Sequence, residues 1–242
     1  MQSNTATALT ETQATGSYLS DLLKGYRFRV AETAEEFAAA LEVRREVYRG
    51  DFGYDVEVPD EYDHRSYLLI AEVEETREIV GTMRITPRDL GPVEAEEYFT
   101  LPGELDSPRA VEISRFAIKR SHRKTRTFLP TVACGLYKLL YEFSMFIGAD
   151  CQIVCTKEEK LASYLSMGFS STGIKKPYAA LNDIEHELLE HDFRHVDVIL
   201  KDNPFGELCA TPLDQVTLPN EMPPTNLVDE YFSEPLRMAV NA

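Results

Sequence analysis

In V-E-I-S-R-F-A-I, residues 111–118, three polar side chains interrupt a run that otherwise has the apolar residues of a buried strand. Strict alternation sets Val111, Ile113, Arg115 and Ala117 on one face and Glu112, Ser114, Phe116 and Ile118 on the other. An unpaired buried charge is costly, so Glu112 and Arg115 need either partners or a purpose. One reading is a structural ion pair, the commoner fate of such residues. The other is a carboxyl group held in a cleft, its pKa raised by burial until it is suited to take a proton from an amine.

Arg44 raises the same question from a helix. It lies on the apolar stripe of Phe37, Leu41 and Tyr48, away from the wet face of Glu42, Arg45 and Glu46. Arginines placed so commonly only extend their heads to the rim. The following D-E-Y-D, however, offers Asp60 and Asp63 as carboxylate partners, and Arg84 in G-T-M-R-I-T is a further charge inside an apolar strand, on a face with Val80 and Thr82. Arg44, Arg84 and Arg115 with Asp60, Asp63 and Glu112 are more embedded charge than a core needs, which points to one shared polar cleft.

Directly after the strand come Lys119, Arg120, Arg123, Lys124 and Arg126, although the chain carries a net charge of −16. That acidity argues against broad nucleic-acid or anionic-membrane binding, so a basic run here is local and specific or merely solvated. H-E-L-L-E-H, residues 186–191, fails as a metalloprotease signature because Glu190 stands where the second histidine is required. No metal site is expected. His64 beside Asp63 reads as exposed, and Gly81 and Gly91 belong to no phosphate loop.

The elements that must position these residues follow from periodicity and turn chemistry. A strand is expected at 26–31. T-A-E-E-F-A-A-A-L-E-V-R-R-E-V-Y then opens as a helix with Thr33 and Glu36 as a capping box. Residues 49–65 read as a loop, and S-Y-L-L-I-A-E-V with E-I-V-G-T-M-R-I-T as an antiparallel pair. The strand at 110–118 leads through Pro130 into a buried helix, then C-Q-I-V-C-T as a strand and K-E-E-K-L-A-S-Y-L-S-M-G-F as a helix closing at Gly168. Further strands follow to about 200, with an acidic helical insert expected at 181–192. This order predicts an α/β sheet, antiparallel at one end, with helices on both faces.

The expected division is a solvated tail at 1–25, one domain at 26–201 and a proline-rich extension at 202–242 that lies as a tail or arm over the domain. The four cysteines show no disulfide framework or C-x-x-C pair, the opening residues lack a signal-peptide pattern, and no stretch is apolar enough to span a membrane. These features lead to the expectation of a cytoplasmic protein.

V-R-R-E-V-Y-R-G-D-F-G-Y, D-E-Y-D, G-T-M-R-I-T and V-E-I-S-R-F-A-I stand in the order and approximate spacing of the acyl-homoserine-lactone (autoinducer) synthases. Over roughly residues 26–200 the chain resembles these enzymes, and more closely the related N-acyl amino acid synthases, all branches of the GNAT-like acyltransferase fold. The resemblance implies a GNAT-like mixed sheet, mostly antiparallel and splayed between its central strands. It also implies that Arg44, Tyr48, Asp60, Asp63, Arg84, Glu112 and Arg115 form the acceptor pocket and its ion-pair network, with Glu112 as general base. Ser114 and Phe116 of the same strand motif are expected to bind substrate, and Arg115 to act in catalysis with Glu112. Tyr54 stands where the autoinducer synthases carry tryptophan, which favours a free amino acid over S-adenosylmethionine as acceptor.

Acetyl-CoA-using GNAT enzymes carry small residues after this strand, whereas R-S-H-R-K-T here has Arg123 and Thr125 at those positions. The basic side chains therefore suit the acidic face of an acyl carrier protein and its phosphopantetheine better than the pyrophosphate of CoA. The function expected is transfer of a fatty acyl group from an acyl carrier protein thioester, or less readily acyl-CoA, to an amino acid, with no tightly bound cofactor. An autoinducer synthase using S-adenosylmethionine is one alternative. A non-catalytic module that binds an acyl ligand or carrier protein is another.

Overall fold

The computed structural model describes residues 18–103, 105–123, 130–196, 200–201, 203–225 and 227–231. Seven strands form one sheet in the order β1-β2-β3-β4-β5-β7-β6: β1 Tyr26–Val30, β2 Tyr67–Val73, β3 Ile79–Pro87, β4 Ala110–Ile118, β5 Cys151–Thr156, β6 Ser170–Tyr178 and β7 Ile184–Asp192. Every neighbouring pair is antiparallel except β4 and β5, which run parallel. Their register runs from Ala110–Cys151 to Ile113–Val154 and ends there, so β4 continues to Ile118 without β5 beside it. The mixed sheet splayed at its centre is the one expected.

Helix α1, residues 18–23, places Leu22 and Leu23 in the core. Helix α2, Ala34–Arg45, is capped as its sequence predicts, with Glu36 N donating to Thr33 Oγ1 at 3.3 Å, and it widens into a π-helical turn at Glu46–Asp51. The short α3, Ala95–Tyr98, lies between β3 and β4 in sequence. Helix α4, Thr131–Phe146, crosses the sheet face opposite α2, apolar nearly all round and buried, with α5, Glu158–Ser166, beyond it. Gly135 lets α4 lie directly on β1: a Cβ there would sit 2.1 Å from the Phe28 ring.

Two short helices, α6 at Pro204–Ala210 and α7 at Leu227–Tyr231, belong to the proline-rich segment, which packs on the domain. Phe205, Leu208, Leu213, Leu227 and Val228 are all buried. Between them Val216 bridges to Phe28 and covers the open edge of β1, a device that removes a template for mispairing.

Residues 181–192 correct an expectation. They form no helical insert: Ile184–Asp192 is strand β7, paired with both β5 and β6. Acidic residues suggested a solvated helix, but Leu188 and Leu189 are each fully buried, on opposite faces of a strand. His186 and His191, five positions apart, likewise point to opposite faces.

His191 sits between the rings of Phe169 and Phe193, with centroids 5.1 and 5.2 Å away, and its Nε2 is buried without a hydrogen-bond partner. Burial lowers its pKa to about 4, well below the ordinary histidine value. Above pH 6.5 the ring is neutral in both folded and unfolded chains. As pH falls from 6.5 toward 4, only the unfolded chain takes up the proton, so stability is lost across that window, by about 3 kcal/mol. Urea unfolding of His191→Leu at a series of pH values should show a shallower acid decline than wild type. Parallel declines would assign the acid sensitivity to other groups.

Candidate active site

The site is assembled on the face of the sheet opposite α4. Two irregularities in the strands decide which side chains reach it. In β3 and β4 the partners run Thr82–Ala117 and then Arg84–Ser114, so β4 holds one surplus residue opposite Met83. Arg115 takes up this bulge with φ +53°, a left-handed backbone that few non-glycine residues adopt.

The bulge shifts the alternation by one residue. Val111, Ile113, Phe116 and Ile118 pack into the α4-side core, Ala117 packs on the α2 side, and Glu112, Ser114 and Arg115 all face the site. This corrects the strict alternation that separated Glu112 from Arg115 and joined it to Phe116. A second bulge, between Ala71 and Glu72 against Gly81 and Ile79, turns Val80 into the α4-side core, while Thr82 and Arg84 stay on the site face.

Three guanidiniums and four carboxyl groups meet here. Arg44, fully buried at the end of α2, donates to Asp63 Oδ1 at 2.6 Å and to Asp60 Oδ2 at 3.4 Å. Arg84, also fully buried, donates through Nη1 to Asp60, through Nη2 to Glu94 Oε2 at 2.6 Å and through Nε to Ser114 Oγ at 2.9 Å. Arg115 donates to Asp60 Oδ2 at 2.9 Å and to Glu94 Oε1 at 2.8 Å.

The D-E-Y-D loop presents its carboxylates through a reciprocal cap. Tyr62 N donates to Asp60 Oδ1 at 3.0 Å, Asp60 N donates to Asp63 Oδ2 at 2.8 Å, and the 3₁₀ turn Glu61–Arg65 follows. Spacing of three is what lets one aspartate cap the turn while the other answers it. The three arginines hold Asp60 far below the usual carboxylate range against the opposing effect of burial.

Glu112 differs from the other carboxyl groups. It receives no arginine: its oxygens accept from Glu94 N at 2.7 Å and Ala95 N at 3.1 Å, at the start of α3. Burial first, and the nearby Glu94 charge second, push its pKa up to about 8. With Glu112 protonated, the three positive charges balance those of Asp60, Asp63 and Glu94.

Glu94 was missed by sequence reasoning. It lies in V-E-A-E-E-Y-F, where three glutamates look alike, and nothing local distinguishes the one that faces inward. The available signal was global: a buried Arg115 in need of a second carboxylate.

Around the splay, Tyr48 Oη donates to Phe116 O at 3.2 Å and its ring lies 6.3 Å from Tyr54 and 6.4 Å from Phe52. Tyr54 accepts from Lys157 Nζ, which also stands 4.6 Å above the Tyr54 ring centre. Tyr54, Lys157, Lys175 and Glu187 line part of a cavity of about 660 Å³. Phe116 faces away from the ion network, against Tyr137 at 5.3 Å.

The basic run is less free than its sequence suggests. Lys119 Nζ bonds Glu78 at 2.7 Å, and Arg123 donates to Ile118 O at 2.6 Å and to Asp51 while lying 5.2 Å over Phe52. Arg120 is exposed, and Lys124 and Arg126 lie outside the described residues. The structure thus gathers Arg44, Asp60, Asp63, Arg84, Glu112, Ser114 and Arg115 into one cluster with Tyr48 and Tyr54 nearby, and leaves Lys119, Arg120 and Arg123 apart from it. Among the described residues no group of His, Cys, Asp and Glu is arranged to hold a metal ion, and no helix is long and apolar enough to cross a membrane.

The family model described as N-acyl amino acid synthase FeeM matches residues 39–192. An acyl-homoserine-lactone synthase of Aliivibrio fischeri is 24% identical over 135 residues, which cover 52% of this chain and 70% of that protein. The solved structure of FeeM, an N-acyl amino acid synthase from uncultured soil microbes, superposes with a TM-score of 0.57 at 17% identity, covering 75% of this chain and 96% of FeeM. BjaI, a CoA-dependent acyl-homoserine lactone synthase solved with SAM and isopentyl-CoA, gives 0.61 at 17% identity, covering 85% and 98% respectively.

Proposed function

This chain belongs to the FeeM family of N-acyl amino acid synthases and is an acyltransferase, and from that premise we propose that it moves a fatty acyl group from an acyl carrier protein thioester to the amine of an amino acid. The observation that carries this reading is the placing of Glu112, a buried carboxyl with a raised pKa, one pair before β4 and β5 part. A thioester laid in that splay brings its carbonyl to the edge of β4, whose backbone beyond Ile113 no longer has β5 as partner and so has N–H groups to offer a developing oxyanion.

The attacking amine must first lose a proton, since the ammonium form has no lone pair. Glu112 as carboxylate takes it, directly or through water. The ion network supplies the grip for the acceptor's own carboxylate, with Arg115, the most accessible of the three arginines, as the bidentate hand. The nitrogen–carbonyl bond forms, the carbon–sulfur bond breaks, and the thiol leaves as the amide departs.

The donor assignment rests on side chains. Arg123 and Thr125 occupy positions where small residues would admit a pyrophosphate to the backbone, and Arg120 offers exposed positive charge. The internal pairs of Lys119 and Arg123 reduce what the run presents, so the preference for carrier protein over CoA is expected to be modest and to fall further as salt rises.

Mass spectrometry of lipid extracts from cells overproducing the chain tests the whole reading. An N-acyl amino acid identifies both the acyl group and the acceptor, whereas an acyl-homoserine lactone would replace the acceptor with S-adenosylmethionine. Purified protein given matched acyl-CoA and acyl carrier protein then decides the donor, and equal rates with the two would discard the carrier preference.

A further inference from the structure

The carboxylates of the network are held from inside by arginines, but the loop that carries Asp60 and Asp63 has little regular structure of its own between Phe52 and Asp60. Loops of that kind open locally at low free energy unless something outside them is packed on. Here the outer layer comes from α7, which lies beyond the residues the family model matches.

Leu227, Val228 and Tyr231 are 5%, 0% and 9% exposed, and they share one apolar cluster with Val56 and Val58 of the loop and with Phe37 and Leu41 of α2. One guanidinium joins the pieces: Arg45 Nη2 donates to Val58 O at 2.9 Å and to Tyr231 Oη at 2.8 Å, with its carbon 5.8 Å from the Tyr231 ring centre. On the far side of the aspartates, His64 Nδ1 lies 3.2 Å from Asp229 Oδ1 in an exposed pair that adds little by itself. Helix α7 thus touches the loop both before Asp60 and after Asp63, while Arg45 points away from the ion network that its neighbour Arg44 enters.

We propose that Val228 and Tyr231 are positioning residues for acyl transfer: through Val58 and Arg45 they press the Asp60–Asp63 loop onto Arg44, Arg84 and Arg115, and so fix the pocket that grips the acceptor. This rests on the reading of that network as the acceptor site. A merely structural α7 would add stability and nothing else. A positioning α7 sets the affinity for one substrate and not the other.

Tyr231→Phe and Val228→Ala in the full chain separate the two. Tyr231→Phe keeps the ring and removes the hydroxyl that accepts from Arg45, so KM for the amine should rise roughly fivefold while kcat and KM for the thioester stay near wild type. Val228→Ala should also speed amide hydrogen exchange across residues 56–66 relative to those of β4 and β5. A fall in melting temperature with unchanged amine KM and unchanged loop exchange overturns the proposal, as does a faster loop with an unchanged amine KM. If wild-type protein transfers no acyl group to any amine, the failure lies with the functional reading, and the exchange measurement still decides whether α7 holds the loop.

Discussion

Replacing Glu112 with glutamine is expected to slow acyl transfer by about two to four orders of magnitude and to leave the protein folded. The substitution keeps the size of the side chain and one carbonyl oxygen for the N–H groups of Glu94 and Ala95, but it turns an amide NH₂ toward the second of them. That mismatch costs about 1–3 kcal/mol of stability, whereas the expected rate loss corresponds to about 3–5 kcal/mol of transition-state stabilisation.

The pH dependence separates the two roles of this residue. Its folded pKa, about 8, lies above the ordinary carboxyl value of 4.5. The stability it contributes is therefore complete below pH 4.5 and is lost as pH rises through 8. Glutamine does not titrate, so the variant's deficit against wild type should shrink as pH rises. Activity runs the other way: only the carboxylate accepts a proton, so the wild-type rate climbs and levels off above about pH 8, whereas the variant, left with amine that has already lost its proton in solution, climbs from a far lower rate with no break near pH 8. Steady-state rates across roughly pH 6 to 9 read this directly, and wild-type turnover by the Glu112→Gln enzyme would remove Glu112 from the chemistry.

Arg84→Met should produce the largest loss of stability, about 3–5 kcal/mol, because it leaves buried carboxylates uncompensated. Arg84 is the hub: it reaches Asp60, Asp63 at 3.5 Å, Glu94 and Ser114, and lies 5.4 Å from the Tyr62 ring centre. Arg115 remains on Asp60 and Glu94 in the variant, yet it cannot also occupy the space between them and Asp63. Lysine at position 84 should restore little, since its donors all sit on one nitrogen, whereas the guanidinium reaches Ser114, Asp60 and Glu94 from three separate nitrogens.

The double variant Arg84→Met with Glu94→Gln should recover part of the loss by removing one orphaned charge. A double-mutant cycle by urea unfolding measures that coupling. A single-variant loss below about 1 kcal/mol would mean that these groups are solvated like a surface pair.

Much of this arrangement could be read from residue types. The capped α2, the antiparallel pair β2–β3, the buried α4 and the strand C-Q-I-V-C-T all announce themselves by period and punctuation, because each buries a continuous apolar stripe. Arg44, Arg84, Arg115, Asp60, Asp63 and Glu112 were legible as charges out of place. What escaped notice depended on partners distant in sequence. β7 looked helical because its acidic residues outnumber its apolar ones, and only pairing on both sides makes it a strand. Glu94 looked like its neighbours until Arg84 and Arg115 were found against it.

The surplus residue in β4 has a consequence for anyone who would rebuild or transplant this strand. Because the left-handed turn at Arg115 puts Ser114 and Arg115 on the same face as Glu112, the site's geometry depends on a count of residues as much as on their identity. Deleting Phe116 would leave every polar residue of the motif present and every ladder position filled, yet send Arg115 into the apolar core. A library that varies letters at fixed length never meets that failure, whereas one that allows single-residue deletions meets it at once.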